Sequence, residues 1–358
     1  MTMEKRFDWI DYAKGIGIAL VVYGHVTRGL YNSGIISGSK IYHFFDSLIY
    51  SFHMPLFLFL SGIFVLKSFF SKGICDFTFN KIDTILYPYI IWSLAQGIIE
   101  VFLSKYTTGD TSIREVLSLL WHPRAQFWFL YALFINFIVF ALVFRFFNNI
   151  KIKTILLTLL GFSAFIYIHF SSVSDSNPLN YIVHNMIYLV LGMLFYEFGV
   201  GHFFSKYCIL SLIIFSFLFL VQAASIYYYP FDKSYNFITI AFALFGIGIV
   251  ISLCMVARQH FPSGLKEFFT LLGLYSMPIY LMHILIGSGI RIVLSKIFMI
   301  HNAFLHVCIG VLGAVIIPII IAKILRKWRV DLFNLSGIMS SKSMFSSIKH
   351  KYQSLNRF

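Results

Sequence analysis

Lys14 and His25 stand eleven residues apart in the stretch R-F-D-W-I-D-Y-A-K-G-I-G-I-A-L-V-V-Y-G-H, which turns apolar at Gly15. Wound as a helix at 100° per residue, Asp11, Lys14 and His25 fall within a sector of about 60°, with about 16 Å of rise between lysine and histidine. If that helix crosses a bilayer, a cation at the membrane edge is stacked under an imidazole near the middle. An ammonium at a rim can hold an anion, and an imidazole can move protons near neutral pH. Ionisable groups at such depth are expensive, which favours a functional reason for them. The alternative is a lysine that anchors the helix and a histidine satisfied by a neighbouring one.

Two further histidines reach a comparable depth. His53, in S-F-H-M-P-L-F-L-F-L-S-G, lies about 10 Å below the outer edge of the second span, or about 20 Å above the inner edge of a ~30 Å core. His283, in S-M-P-I-Y-L-M-H, lies about 20 Å up the ninth span by the same rise per residue. Pro55 and Pro278 sit close to these histidines, and a proline in a span frees a carbonyl and bends the helix. Gly15, Gly17 and Gly24 let a ligand or another backbone approach the first helix. Trp128 and Phe129 could stack on a sugar ring or belong to an interfacial aromatic belt. Glu100, Glu197, Arg28 and Arg291 lie near helix ends, where side chains snorkel into water.

The elements that must position these residues are membrane helices. Of the 358 residues, 59% are hydrophobic and 12% charged, and mean hydropathy is +0.83, a balance that no soluble domain has. The fold class expected is all-α, a polytopic membrane protein of about ten helices near 14–31, 46–68, 82–104, 126–146, 153–171, 180–199, 207–228, 236–257, 270–295 and 303–323. With the N-terminus in the cytoplasm, 20 of the 28 lysines and arginines fall on the inner side, so both termini are expected inside. Segments 172–182 and 229–235 read as turn-like connectors, and the loop at 105–125 as a small lid or interfacial helix. Residues 1–325 form the expected membrane domain. Residues 326–358 are a basic, then Ser-rich tail, expected on the inner leaflet or disordered.

The net charge of +14 fits basic cytoplasmic loops better than nucleic-acid binding, because no aromatic-basic groove pattern accompanies it. Cys75, Cys208, Cys254 and Cys308 are scattered without C-x-x-C spacing, so neither a disulfide framework nor a metal site is expected. The first apolar run lacks a small-residue cleavage site and reads as a retained span. No internal repeat is visible, which weighs mildly against a transporter.

Taken together, the stretches at 6–25, 52–62, 127–134 (F-W-F-L-Y-A-L-F) and 273–283 (G-L-Y-S-M-P-I-Y-L-M-H) resemble the membrane acyltransferase family 3, nearest to its fucose 4-O-acetylase-like branch. The resemblance runs from about residue 6 to 325. It implies a ten-helix enzyme of the bacterial inner membrane that takes an acetyl group from cytoplasmic acetyl-CoA and places it on a hydroxyl of a surface polysaccharide or its lipid-linked precursor. The family's first-helix histidine matches His25. Its basic residue eleven positions earlier, usually arginine, matches Lys14, which keeps the charge without the planar fork. The family's Arg-x-x-Arg before a proline reads here Lys81-Ile82-Asp83-Thr84 ahead of Pro88, with only one basic position.

On that resemblance His25 is expected to act as general base or as a transient acyl carrier. Lys14, helped by Lys72 and Lys81, would hold the CoA phosphates. His53, Trp128 and His283 would line the acceptor pocket or support the thioester oxyanion. A transporter or flippase for a lipid-linked sugar, with proton-coupled histidines, is the competing expectation.

Overall fold

The computed structural model describes residues 8–103, 112–147, 149–170, 178–229, 237–335 and 340–343, without the side chains of Lys72 and Pro178. Arg6, most of the two expected connectors and the first part of the 105–125 loop lie outside the described residues. The chain forms two compact units. One takes in Met1–Ile63 and Leu191–Ala322, the other Phe64–Lys105, Gly109–Val190 and Lys323–Phe358, as far as these stretches are described.

All described secondary structure is helical. The α-helices are α1 Asp8–Asn32, α2 Lys40–Tyr50, α3 His53–Ile63, α4 Val65–Lys81, α5 Tyr87–Phe102, α6 Ile113–Leu117, α7 Trp128–Phe146, α8 Ile150–Phe170, α9 Pro178–Glu197, α10 Val200–Lys206, α11 Cys208–Tyr228, α12 Phe237–His260, α13 Ser263–Leu274, α14 Ser276–Ile292 and α15 Ala303–Lys327. Nine helical stretches among the described residues are long and apolar enough to cross a membrane, and α1 is a further long helix where the first span was expected. The tenth, α1, has the length, since its 25 residues span about 37 Å. It lacks the composition, because Asp8, Asp11, Lys14, His25 and Arg28 interrupt it. Protein takes the place of lipid around it: α1 packs on α3, α12, α13 and α14. Its core includes Trp9, Ile18, Val22 and Leu30. A helix enclosed in this way can carry polar groups that lipid would reject.

Both prolines that flank the buried histidines begin new helices. Pro55 is the third residue of α3, and the helical path breaks at Ser51–Phe52 just before it. Pro278 is the third residue of α14, after a break at Tyr275. A proline cannot donate to the carbonyl four residues earlier and crowds it, so each break falls one turn upstream of the ring. Ser51 is held at the first break by its bond to the Leu48 carbonyl (2.6 Å) and by the Gln222 amide (2.7 Å).

The second unit has its own irregularities. Gly73 in α4 adopts φ 73° and ψ 171°, splitting that helix. A π-helical turn, Ile82–Leu86, precedes Pro88, as expected where a missing N–H disturbs the ladder. The 105–125 loop, where described, holds the short α6 with a capping box between Ser112 and Glu115. Glu100 is not merely solvated. It accepts from Arg124 (2.9 Å) and Gln96 (2.8 Å), and Gln126 donates to Gln96 (2.7 Å), tying the loop to α5.

The described part of the tail makes contacts with the second unit. The Tyr87 hydroxyl donates to the Asp331 carbonyl (3.0 Å), the Trp92 indole to Leu332 (3.0 Å), and the Phe333 ring stacks on Trp92 at 5.5 Å. Asp83 accepts from the backbone of Ser341 at 2.9 Å, and Lys342 pairs with Asp76 at 2.7 Å. The described residues of the tail thus touch the stretch from Asp76 to Trp92.

Candidate active site

The three histidines meet in the first unit. The rings of His25 and His283 are 5.0 Å apart, centre to centre. Tyr50 stands between His25, at 6.2 Å, and His53, at 4.4 Å, edge-on to both. His53 and His283 are each 1% exposed, whereas His25 keeps partial access. The similar depths read from three separate helices therefore correspond to one cluster.

The local backbone sets the chemistry of two of these rings. His53 Nδ1 lies 2.8 Å from the Ile49 carbonyl, beside the break that Pro55 imposes. His283 Nδ1 lies 2.7 Å from the Tyr280 carbonyl and 3.1 Å from Ile279. A carbonyl only accepts, so each Nδ1 carries the proton, and in the neutral ring Nε2 is left as an acceptor. His283 Nε2 is buried and has no hydrogen-bond partner among the described residues. Among the described residues no such backbone tether holds His25. The cluster thus combines one accessible, untethered imidazole with two fixed rings that offer lone pairs.

Four residues around the histidines, Arg28, Asp46, Tyr50 and Arg291, were not assigned to the site from the sequence. Arg28 makes a two-pronged pair with Asp46, Nε to Oδ1 at 2.6 Å and Nη2 to Oδ2 at 2.9 Å. Its guanidinium lies 3.1 Å from the centre of the Tyr50 ring. This arginine is a clamp on Tyr50, not the snorkelling residue expected at a helix end. Among the described residues the Tyr50 hydroxyl is buried and makes no hydrogen bond of good geometry. Arg291, expected at the outer edge, is buried instead and donates to the Gly29 carbonyl. The only available signal was the one-turn spacing of Asp46, Tyr50 and His53, which a helical wheel puts on one face.

Lys14 is half-buried on α1. At its level α1 and α13 approach so closely that a Cβ on Gly15 would stand 2.7 Å from the Phe269 carbonyl oxygen. Gly24 admits the Tyr50 ring, whose edge would be 3.0 Å from an added Cβ. The small residues of α1 therefore receive protein, including one residue of the site. The other expected site residues belong to the second unit. Lys81 Nζ lies over the Phe137 ring at 4.0 Å. Trp128 stacks on Tyr181 at 5.3 Å, which occupies one face of the indole. The Lys72 side chain lies outside the described residues. Among the described residues no group of three or more histidine, cysteine or carboxylate side chains is arranged to hold a metal ion.

The sequence profile of acyltransferase family 3, described as an acyltransferase domain, matches residues 7–323. The nodulation protein NolL of Mesorhizobium japonicum is 34% identical over 147 residues, covering 40% of this chain and 37% of that protein. The match thus spans little more than a third of that relative's length. No solved structure matches at a significant level. A domain match over nearly the whole length, on a helical chain that clusters His25 with two further histidines, identifies this multi-pass membrane protein as a member of acyltransferase family 3.

Proposed function

We propose that this protein is a membrane O-acetyltransferase. It moves an acetyl group from cytoplasmic acetyl-CoA to a hydroxyl of a surface polysaccharide, or of its lipid-linked precursor, at the inner membrane of a bacterium. The observation that carries this reading is the accessible His25 imidazole packed 5.0 Å from the His283 ring.

In the proposed reaction His25 removes the proton from the acceptor hydroxyl as its oxygen attacks the thioester carbonyl. The C–S bond breaks and the sulfur leaves as thiolate. The proton held on His25 passes to that sulfur, giving CoA-SH and the O-acetyl ester, with the imidazole neutral again. The backbone tethers argue against His53 and His283 as oxyanion donors, because their free nitrogens accept. They suit recognition of sugar hydroxyls, which donate. The buried Tyr50 hydroxyl is the better donor for the carbonyl oxygen as charge builds on it. Lys14, about 16 Å down the same helix face, would hold the CoA phosphates.

The direct test is label transfer from acetyl-CoA by the purified protein in nanodiscs, with a lipid-linked glycan fraction as acceptor. Label on the glycan, lost in His25→Asn, supports the reading. Movement of the glycan across the bilayer without covalent change would support the transporter alternative.

A further inference from the structure

A cleft of about 180 Å³ opens beside the N-terminal end of α1. Trp9, Ile63 and Met255 give it a buried, apolar floor, and Tyr196, His202 and Arg258 an exposed mouth. Among the described residues no carboxylate lines it, and neither Arg258 nor His202 pairs with one. The cleft is separate from the histidine site. Trp9 is five residues from Lys14 and sixteen from His25, which turns it about 140° and about 160° around the helix from them. Whatever lies along the Lys14–His25 face is therefore on the other side of α1. The walls are preset. The Gln259 amide donates to the Ser205 carbonyl at 2.8 Å, fixing the end of α12 against α10. Gly199, at φ 62°, reverses the chain between α9 and α10, bringing Tyr196 and His202 to the same mouth.

The mouth lies at the level where spans end. α9 stops at Glu197, α11 starts at Cys208 and α12 stops at His260, each within three residues of a residue that lines the cleft. Phe198 and Phe203, 74% and 55% exposed, flank it, as in an interfacial aromatic belt. These helix ends are expected on the cytoplasmic side, where anionic lipid makes the membrane surface negative. Size narrows the choice of occupant. Pockets that enclose a free small molecule run to about 300–1,000 Å³. A cleft of about 180 Å³ takes in only part of a ligand, and the remainder must be at home in the bilayer. An arginine and an imidazole over an apolar floor match a phosphodiester joined to an acyl chain. We infer that this cleft binds one anionic phospholipid, its phosphate at Arg258 and His202 and the first part of one chain on Trp9 and Met255. Basic pockets between spans on the cytoplasmic side suit such head groups. The bound lipid adds a link between α1 and the braced ends of α10 and α12. Its binding is independent of the acyl-transfer reaction.

The experiment titrates the purified full chain in detergent with dioctanoyl phosphatidylglycerol or dioctanoyl phosphatidylcholine. Native mass spectrometry counts the lipid retained, and the thermal midpoint is read alongside. One phosphatidylglycerol per chain should be retained and should raise the midpoint; phosphatidylcholine at the same concentration should do neither. Arg258→Gln should weaken retention about tenfold, the size of one charge-assisted phosphate contact. Gly201→Leu leaves the charge alone and fills the cleft, since a Cβ there would stand 3.4 Å from the Phe195 ring, which lines it. That variant should lose the retained lipid while its lipid-free midpoint stays near the parent's. Arg258 is exposed, so Arg258→Gln decides by itself should Gly201→Leu lose its fold. Equal retention of the two lipids, or parent-like retention by either folded variant, would overturn the proposal. Displacement of the lipid by millimolar glycerol phosphate would assign the rim to a free phosphate compound and overturn it as well.

Discussion

His25 and His53 should separate under mutation into a chemical and a structural class. His25 is partly accessible, and no backbone tether holds its ring among the described residues. Replacing it by asparagine removes a base and little packing. The transfer rate should fall about 10²- to 10⁴-fold, the usual worth of a positioned base, while the denaturation midpoint barely moves. His53 is 1% exposed, and its Nδ1–H satisfies the Ile49 carbonyl at 2.8 Å. His53→Ala removes that bond and leaves the carbonyl to the Phe52 N–H, at 3.3 Å, at a cost of about 1 kcal/mol. It also leaves a ring-sized void, so the total loss of stability should be about 3 kcal/mol or more. The assays are acetyl transfer under single-turnover conditions and urea denaturation followed by tryptophan fluorescence in the same detergent. A His25→Asn protein that keeps its rate within a few-fold would refute the base assignment. One that unfolds as readily as His53→Ala would refute the claim that His25 is held for chemistry rather than packing.

Four other substitutions probe the surroundings. Lys14→Ala should raise the apparent KM for acetyl-CoA about tenfold with kcat nearly intact, as read from initial rates over a donor titration. Arg28→Gln removes a half-exposed pair worth about 1 kcal/mol in stability but frees the Tyr50 ring. The expected signature is therefore a drop in kcat larger than the shift in midpoint. Gly24→Ala puts a Cβ 3.0 Å from the edge of Tyr50, so kcat should fall by a few-fold or more, and Tyr50→Leu in the same background should remove the clash and restore the denaturation midpoint. Trp92→Ala takes away the ring on which Phe333 stacks at 5.5 Å. Limited proteolysis should then cut the tail faster, with no change in the fragment pattern of the first unit.

Much of the site could be read from the chain because its determinants are local. The eleven-residue spacing of Lys14 and His25 fixes a shared helix face whatever packs on it. The H-M-P and S-M-P sequences mark where helices restart, since a missing N–H acts on the carbonyl one turn back. What escaped was pairing across long separations. Arg28 finds Asp46 across a loop, and Arg291 reaches Gly29 at a separation of 262 residues. At a helix end such arginines are indistinguishable by sequence from ones that reach water. Among the described residues, composition alone sets α1 apart from the nine apolar stretches for a related reason. Hydropathy scores a segment as if lipid surrounded it, and α1 is surrounded by α3, α12, α13 and α14. In the described part of the tail the contacts with Tyr87 and Trp92 use main-chain carbonyls and one phenyl ring, which composition does not reveal.

That anchorage has a consequence for how the protein is made. Tyr87 and Trp92 meet their carbonyl partners only after a further 244 and 240 residues have been synthesised. At about 5–20 residues per second, the early segment waits roughly 12 to 50 s for the last part of the chain. During that interval the polar edges of Asp83, Tyr87 and Trp92 are open to chaperones and proteases. A ribosome that stops short of Asp331 leaves them so permanently. Synthesis past Asp331 is thereby written into the folded state, and a copy terminated before it presents its defect at Tyr87 and Trp92.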